Sequence, residues 1–410
     1  MSTINPDDRV ILREAWQGLC DDLRMFGTRT IDDLEDVDNP QELAEALRSV
    51  ARMALMTLQQ RMEFDDPDFP TFFRSLDDRF KYAGPDTYIT YVTAPVRPEA
   101  TYRVNVDHGG RDLQLGKFWS RDLVPNEDGT VDIIASAAAP DAESGPANWQ
   151  PLTRDSGRSR RTVPEMYPMV DGGFGGRIYH TDPHDDRPTR LTIERVDDKR
   201  PRQPAPLTPQ RLAEQLDSSR ELLDAMTTWW FQRSTNIRAE NEPNVVGPPG
   251  TRPPGVPTFT PPANSPLNYG VCCWELDPDQ ALVITSELPV ADYWSFQLNT
   301  AWWEAPDNQH RQTSINDHHA HVDTDGRFRC VLAHRDPGTP NWLDVGGNRR
   351  GFLFYRWLRP TTPMPTPVAV LTPLADVRAH LPLEHPLFDQ AARDVQLAER
   401  HRWYARRFQS

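Results

Sequence analysis

Two octapeptides far apart in the chain, PQELAEAL from Pro40 and PQRLAEQL from Pro209, differ only at their third and seventh residues. A chain that repeats itself folds as copies of one unit, which narrows the architecture more than any average property does. Both octapeptides read as helix starts, because proline in a first turn gives up an N–H that has no partner inside the helix. From Pro40 to Phe64, Leu43, Leu47, Val50, Ala54, Leu58 and Met62 recur at steps of three and four. From Pro209 onward, Leu212, Leu216, Leu223, Met226 and Trp230 form a comparable stripe. An earlier stripe of Leu12, Trp16, Leu19, Leu23 and Phe26, stopped by Gly27, predicts an N-terminal helix.

The repetition runs on past the helices. PEATYRV from Pro98 lines up with PVADYWSF from Pro289, and EDGTVDIIASAAAP…GPANWQPL (Glu127 to Leu152) lines up with TDGRFRCVLAHRDPGTPNWLDV (Thr324 to Val345). In the longer pair each copy reads as an Asp-Gly turn, an alternating strand, a Pro-bearing loop and Asn-Trp. Asp128–Gly129 and Asp325–Gly326 mark tight hairpins. YITYVTAPV, TYRVNVD, VDIIASAA, QALVITSEL, YWSFQLN, FRCVLAH and GFLFYRWL alternate or are rich in β-branched and aromatic residues. Short strands at this spacing predict a β-rich α+β protein with two duplicated antiparallel β-sandwich or jelly-roll-like modules. A long helix precedes each module, and further helices lie at the two termini. The expected division is an N-terminal helical segment over 1–39, a first helix plus β-module over 40–205, a second over 206–365 and a C-terminal helical tail over 366–410. Thr153–Met166 reads as a polar loop. Glu242–Pro266, with nine prolines, reads as an extended segment crossing to the second sheet.

Composition rules out several classes of function. With a formal charge of −15, the chain repels nucleic acid and anionic lipid unless a local patch overrides it, and no run of consecutive cations appears. Arg400–Phe408, RHRWYARRF, suits the end of a helix, where cations meet the negative end of the dipole. Four cysteines, two of them adjacent at Cys272 and Cys273, fit neither a disulfide framework nor a zinc spacing. The polar start MSTINPDDRV has no signal pattern, and no apolar run approaches the ~20 residues of a membrane span. The expected location is therefore the cytoplasm, with a small-molecule ligand as partner, no nucleic acid, no membrane, and self-association left open.

The second module carries a resemblance. The order ADYWSFQL, HRQTSIN, a DG turn with its strand, RDPGTPNWLD and GFLFYRWL, over roughly Tyr269 to Leu358, resembles the bacterial family of domain of unknown function 1214. That domain is often paired with domain of unknown function 1254. The matching residues are Tyr293, Trp294, Arg311, Ser314, Asn316, Asp336, Pro337, Gly338, Asn341, Trp342, Gly346 and Arg356. The resemblance implies a β-rich fold and supplies no catalytic assignment; DHHAH, Asp317 to His321, departs from it.

Candidate chemistry clusters in the same module. The tight RDPGTPNW turn sets Asn341 and Trp342 at a rim, and Arg311 and Arg335 are placed to pair with Asp336 or to hold a carboxylate. Asp336 or His334 as base with Tyr293 as hydroxyl donor suits proton transfer, and Arg311, Ser314, Asn316, Asn341, Trp294 and Trp342 are the candidate substrate contacts. Each has a bland reading beside it: Asp336 caps its turn, and the tryptophans fill a core. His319 and His321 fall on one side of a strand, with His334 on the next, a pattern a sheet can use for iron, copper or zinc. DDLED at Asp32 and FDDPDFP at Phe64 imitate magnesium motifs but suit caps and turns, and DGGFGGR at Asp171 lacks the strand–loop–helix setting of a nucleotide site. The leading expectation is a small-molecule enzyme of hydrolase or lyase type, acting on an apolar or carboxylated metabolite in the second module's loops without a cofactor. Two alternatives stay open: a non-catalytic module binding sugar, lipid or protein, and a metal enzyme built on the histidines.

Overall fold

Asn39 and Thr208, the residues before the two repeated prolines, cap helices. Asn39 Oδ1 accepts the Gln41 N–H at 3.0 Å, and Thr208 Oγ1 accepts the Arg211 N–H at 3.1 Å. In the computed structural model, which describes residues 5–34, 37–77, 80–82, 84–139, 148–152, 173–182, 187–250 and 266–407, there are four α-helices. They are α1 (Pro6–Asp32), α2 (Pro40–Glu63), α3 (Pro209–Glu240) and α4 (Gln390–Arg407). None of the described helices is long and apolar enough to cross a membrane. The expected loop over Thr153–Met166 lies outside the described residues.

The first nine strands are β1 (Phe73–Leu76), β2 (Ile89–Pro95), β3 (Tyr102–Asp107), β4 (Leu113–Leu115), β5 (Phe118–Trp119), β6 (Val131–Ser136), β7 (Trp149–Pro151), β8 (Gly173–Tyr179) and β9 (Arg190–Arg195). The next eight are β10 (Leu267–Glu275), β11 (Gln280–Ser286), β12 (Tyr293–Thr300), β13 (Ser314–Asn316), β14 (Phe328–Ala333), β15 (Trp342–Asp344), β16 (Arg350–Leu358) and β17 (Val368–Pro373). They form two sandwiches. The first faces sheet β1-β2-β8-β4-β5 with sheet β7-β6-β3-β9, and the second faces β10-β16-β12-β13 with β15-β14-β11-β17. Matching β2 to β10, β3 to β11 and so on to β9 with β17 makes the strand orders identical. Even the exceptional parallel pair recurs, as β6 with β7 and as β14 with β15. Beside β10, where β1 would lie, the extended segment after α3 runs instead. Asn244, Gly247 and Gly250 donate their N–H groups to the carbonyls of Cys273, Val271 and Tyr269.

One of the sequence matches is accidental. Tyr102 opens β3 and Tyr293 opens β12, and these strands belong to non-equivalent sheets. In both stretches a proline stands four residues before the tyrosine that opens the strand, and the structural likeness ends there. The longer match holds. Asn148 Oδ1 accepts the Val124 N–H while its amide donates to the Val124 and Asp132 carbonyls. Asn341 does the same with His321 N–H, His321 O and Arg329 O. Each asparagine thus ties the short parallel strand to its neighbour. The turns before them are alike as well, with Gly129 at φ 84° and Gly326 at φ 76°, a left-handed conformation that glycine reaches without strain.

Two further expectations shift. β17 pairs with β11, so the second sandwich runs past residue 365 into the expected tail. In α1 the buried face is Ala15, Leu19 and Phe26, while Trp16 is 60% exposed. Helices α1, α2 and α3 form one layer, α3 packing on both α1 and α2. This layer rests on the second sandwich through Cys273, Trp303 and Phe352. The two sandwiches meet through Tyr88, Ile89, Trp119 and Tyr179 on one side and Leu267, Tyr293 and Leu358 on the other, with Trp403 and Tyr404 of α4 completing the seam.

Candidate functional site

β12 shows how one strand serves two neighbours. Successive side chains point to opposite faces, so Trp294, Phe296 and Leu298 enter the second core. Tyr293, Ser295 and Gln297 face the first module and hold the turn over Gly84–Tyr88. The Tyr293 hydroxyl donates to Asp86 at 3.0 and 3.1 Å, and Ser295 Oγ donates to it at 2.9 Å. Gln297 accepts the Thr87 N–H at 2.9 Å and donates to the Pro85 carbonyl at 2.6 Å. Arg356 of β16 closes the network as the ion-pair partner of Asp86, with both side chains buried. Its guanidinium also lies over the Tyr269 ring, 5.2 Å from the centroid. Burial, reinforced by the Asp86 charge, pushes the Tyr293 phenol well above its ordinary value, so it remains a proton-bearing donor.

Tyr293 also lines the wall of a cleft of about 680 Å³ between the sandwiches. The first module contributes His108, Arg111, Asp112, Arg121, Tyr179, Asp182 and Arg187, and the second contributes Asp292, Tyr293 and Leu358. Arg121 bonds Asp292 at 2.7 Å, and Arg359 joins Asp292 (2.5 Å) to Asp112 while stacking over Trp119. Counting Arg359, four guanidinium groups meet three carboxylates around this cleft.

The other expected site residues do not join Tyr293. Asp336 accepts the Gly338 N–H at 2.8 Å and pairs with Arg393 of α4 at 2.9 Å. His334 faces the Leu276 carbonyl at 3.2 Å, and Arg311 pairs with Asp344 at 2.6 Å rather than with Asp336. Asp336, His334 and Tyr293 are therefore three separate structural contacts. Arg335 is exposed. Ser314 is taken up by Arg400, whose guanidinium donates to Ser314 Oγ at 2.8 Å and to the Asn308 carbonyl at 2.6 Å. Asn316 donates to the Thr181 carbonyl and orients His319 at 2.6 Å. Trp294 is core, and Trp342 donates to the Ala333 carbonyl with Arg393 over its ring. These loops are wired for packing.

The RDPGTPNW loop, β12 and β16 all lie in one stretch that carries a family signature. Residues 275–362 match the model of the family described as protein of unknown function (DUF1214). The chain is also similar over 90% of its length to the crystal structure of an uncharacterized protein from Burkholderia cenocepacia, with 25% identity, a TM-score of 0.74 and 99% of that chain covered. The VPA0106 protein from Vibrio parahaemolyticus aligns over 79% of this chain and 98% of its own, at 12% identity and a TM-score of 0.41. No curated protein matches.

The three histidines expected as a metal set do not come together. His319 stacks on Tyr88, with ring centroids 5.3 Å apart, and His334 sits with Leu276, so neither shares a centre with His321. Among the described residues, His321 groups instead with Asp323 and His385. Sequence reasoning missed Asp86, because GPD before a strand reads as a turn, and it missed Arg111, Arg121 and His385. None of these stands in a motif, and each acquires its partners only through long-range packing.

Proposed function

We propose that the protein binds a small carboxylated molecule in the cleft between its two sandwiches. The observation that carries this reading is the three guanidinium groups, Arg111, Arg121 and Arg187, that line a cavity of about 680 Å³ in a chain whose formal charge is −15. Arginine is suited to such a role because its planar fork matches a carboxylate in two parallel hydrogen bonds. The volume falls within the range of small-molecule sites, roughly 300–1,000 Å³. Tyr179, Tyr293 and Leu358 supply the apolar part of the wall. Such a ligand would touch both copies at once.

The reading favours binding over acid–base catalysis, since Asp336 and His334 are occupied elsewhere. The test is calorimetric titration with a panel of mono- and dicarboxylates alongside their neutral amides. A carboxylate that binds, with its amide at least tenfold weaker, is the expected result. Arg121→Gln should weaken that binding about tenfold, the effect of one charge-assisted contact. Arg349→Gln, at a separate surface, should leave it unchanged. Equal binding of acids and amides, or full affinity in Arg121→Gln, would overturn the proposal. NMR of the same mixtures over time reads any hydrolase- or lyase-type turnover directly.

A further inference from the structure

We propose that His321, Asp323 and His385 form a binding site for a single divalent transition ion of the zinc class. The ion would fasten the segment before α4 to the second sandwich. One potential donor atom from each residue lies within 4.8 Å of the others. Asp323 Oδ1 is 2.7 Å from His385 Nδ1 and 3.3 Å from His321 Nε2. With metal–ligand distances of roughly 2.0–2.2 Å, donors on one zinc stand about 3–3.5 Å apart, so Asp323 Oδ1 already stands near that spacing from both imidazoles.

The surroundings favour an ion over a plain hydrogen-bonded trio. The side chains of Asp323 and His385 are each 1% exposed. Arg329 donates to the second oxygen of Asp323 at 2.6 Å, turning Oδ1 toward the imidazoles as an outer partner of a metal ligand does. Asp325 pairs with the same Arg329 at 2.6 Å, so two carboxylates face one guanidinium and the surplus charge is negative. Binding at His385 Nδ1 would leave the ring's one proton on Nε2, the Nδ1 contact to Asp323 giving way to the ion. His321, 34% exposed, leaves a side open for water as a fourth ligand.

The first sandwich contains the same turn without the donors. Val124, like His321, gives its N–H to the bridging asparagine at 2.9 Å. Asn126, like Asp323, bonds the carbonyl four residues on.

The untagged full chain, stripped with a chelator, would be titrated with Zn²⁺ by calorimetry and with Co²⁺ by visible absorption. One ion per chain is expected, with Co²⁺ bands of a low-coordinate nitrogen–oxygen site. His385→Ala and His321→Asn should each weaken Zn²⁺ at least a hundredfold, whereas His319→Asn and His334→Asn should not. Because His385 is buried, His321→Asn tests the same ion in a chain with an intact core. No stoichiometric ion at micromolar Zn²⁺, or binding that survives His321→Asn, would overturn the proposal.

Discussion

The two sandwiches share one connectivity and fill it differently. The first core is built from small aliphatic residues, among them Val104, Val106, Leu113, Val131, Ile133 and Ile178. The second is crowded with rings: Trp274, Trp294, Phe296, Phe328, Tyr355 and Trp357. The central cross-strand pairs are nevertheless preserved, Tyr91 opposite Arg177 in the first and Tyr269 opposite Arg356 in the second. Topology is thus held by a few turn and bridging residues and by backbone ladders, while core volume drifts freely as long as each cavity is filled. What separates the copies is what their outer residues reach: Arg356 takes Asp86 of the other module, whereas Arg177 reaches Gln114 within its own.

That contrast can be broken most sharply at Asp86. Replacing it with alanine leaves Arg356 buried without its counter-charge, and about 3–5 kcal/mol of stability should be lost. Urea unfolding measures this, and Arg177→Leu in the first copy should cost clearly less. Next come the bridging asparagines. Asn148→Ala and Asn341→Ala each remove three hydrogen bonds to backbone groups, so each should cost about 2–4 kcal/mol by the same measurement. If only one of them matters, the equivalence of the two copies is superficial.

A smaller effect is expected at Gly270, where a Cβ would run into the ring of Tyr355 on the neighbouring strand. Gly270→Ala should cost about 1–3 kcal/mol. In the first copy the register places Val92 at β2 opposite Gly176 of β8, large and small exchanged, so Val92→Ala tests the opposite fault by opening a gap. The smallest effect concerns pH. Burial raises the Asp317 carboxyl to about 6. The folded chain then holds a proton there that the unfolded chain releases near its ordinary value of about 4. Stability therefore falls as pH rises from about 4 to 6, and the loss persists above it. Asp317→Asn should flatten that slope, as thermal melts across this range would record; an unchanged slope assigns the effect elsewhere.

Much of the architecture could be read from local grammar. Asn39-Pro40 and Thr208-Pro209 announce helices because cap and first turn are adjacent in sequence. Asp-Gly followed by a strand and Asn-Trp announces the repeated hairpin because its bonds close within about two dozen residues. The candidate sites were less legible. Tyr293 offers a hydroxyl in a strand, yet its partner Asp86 lies 207 positions away, and no local pattern encodes that distance. His385 reaches Asp323 across 62 positions, whereas local spacing groups only the histidines nearest in sequence. Asp336 suggested chemistry because a carboxylate on a tight turn is a common catalytic device; Arg393, arriving from α4, makes it a fastening. Trp16 pointed outward because α1 buries only a narrow stripe, so periodicity set the helix but not its rotation.

The docking of α4 has a bearing on biosynthesis. Arg393 grips the Asp336 turn, and Arg400 reaches Ser314, Asn308 and the hydroxyl of Tyr88, all from the last helix of the described chain. While the ribosome is still translating, both sandwiches can emerge with those acceptors exposed. Only when α4 leaves the exit tunnel do the two halves receive their common latch, so a message cut short before Gln390 would yield a nascent product with its seam open to chaperones and proteases.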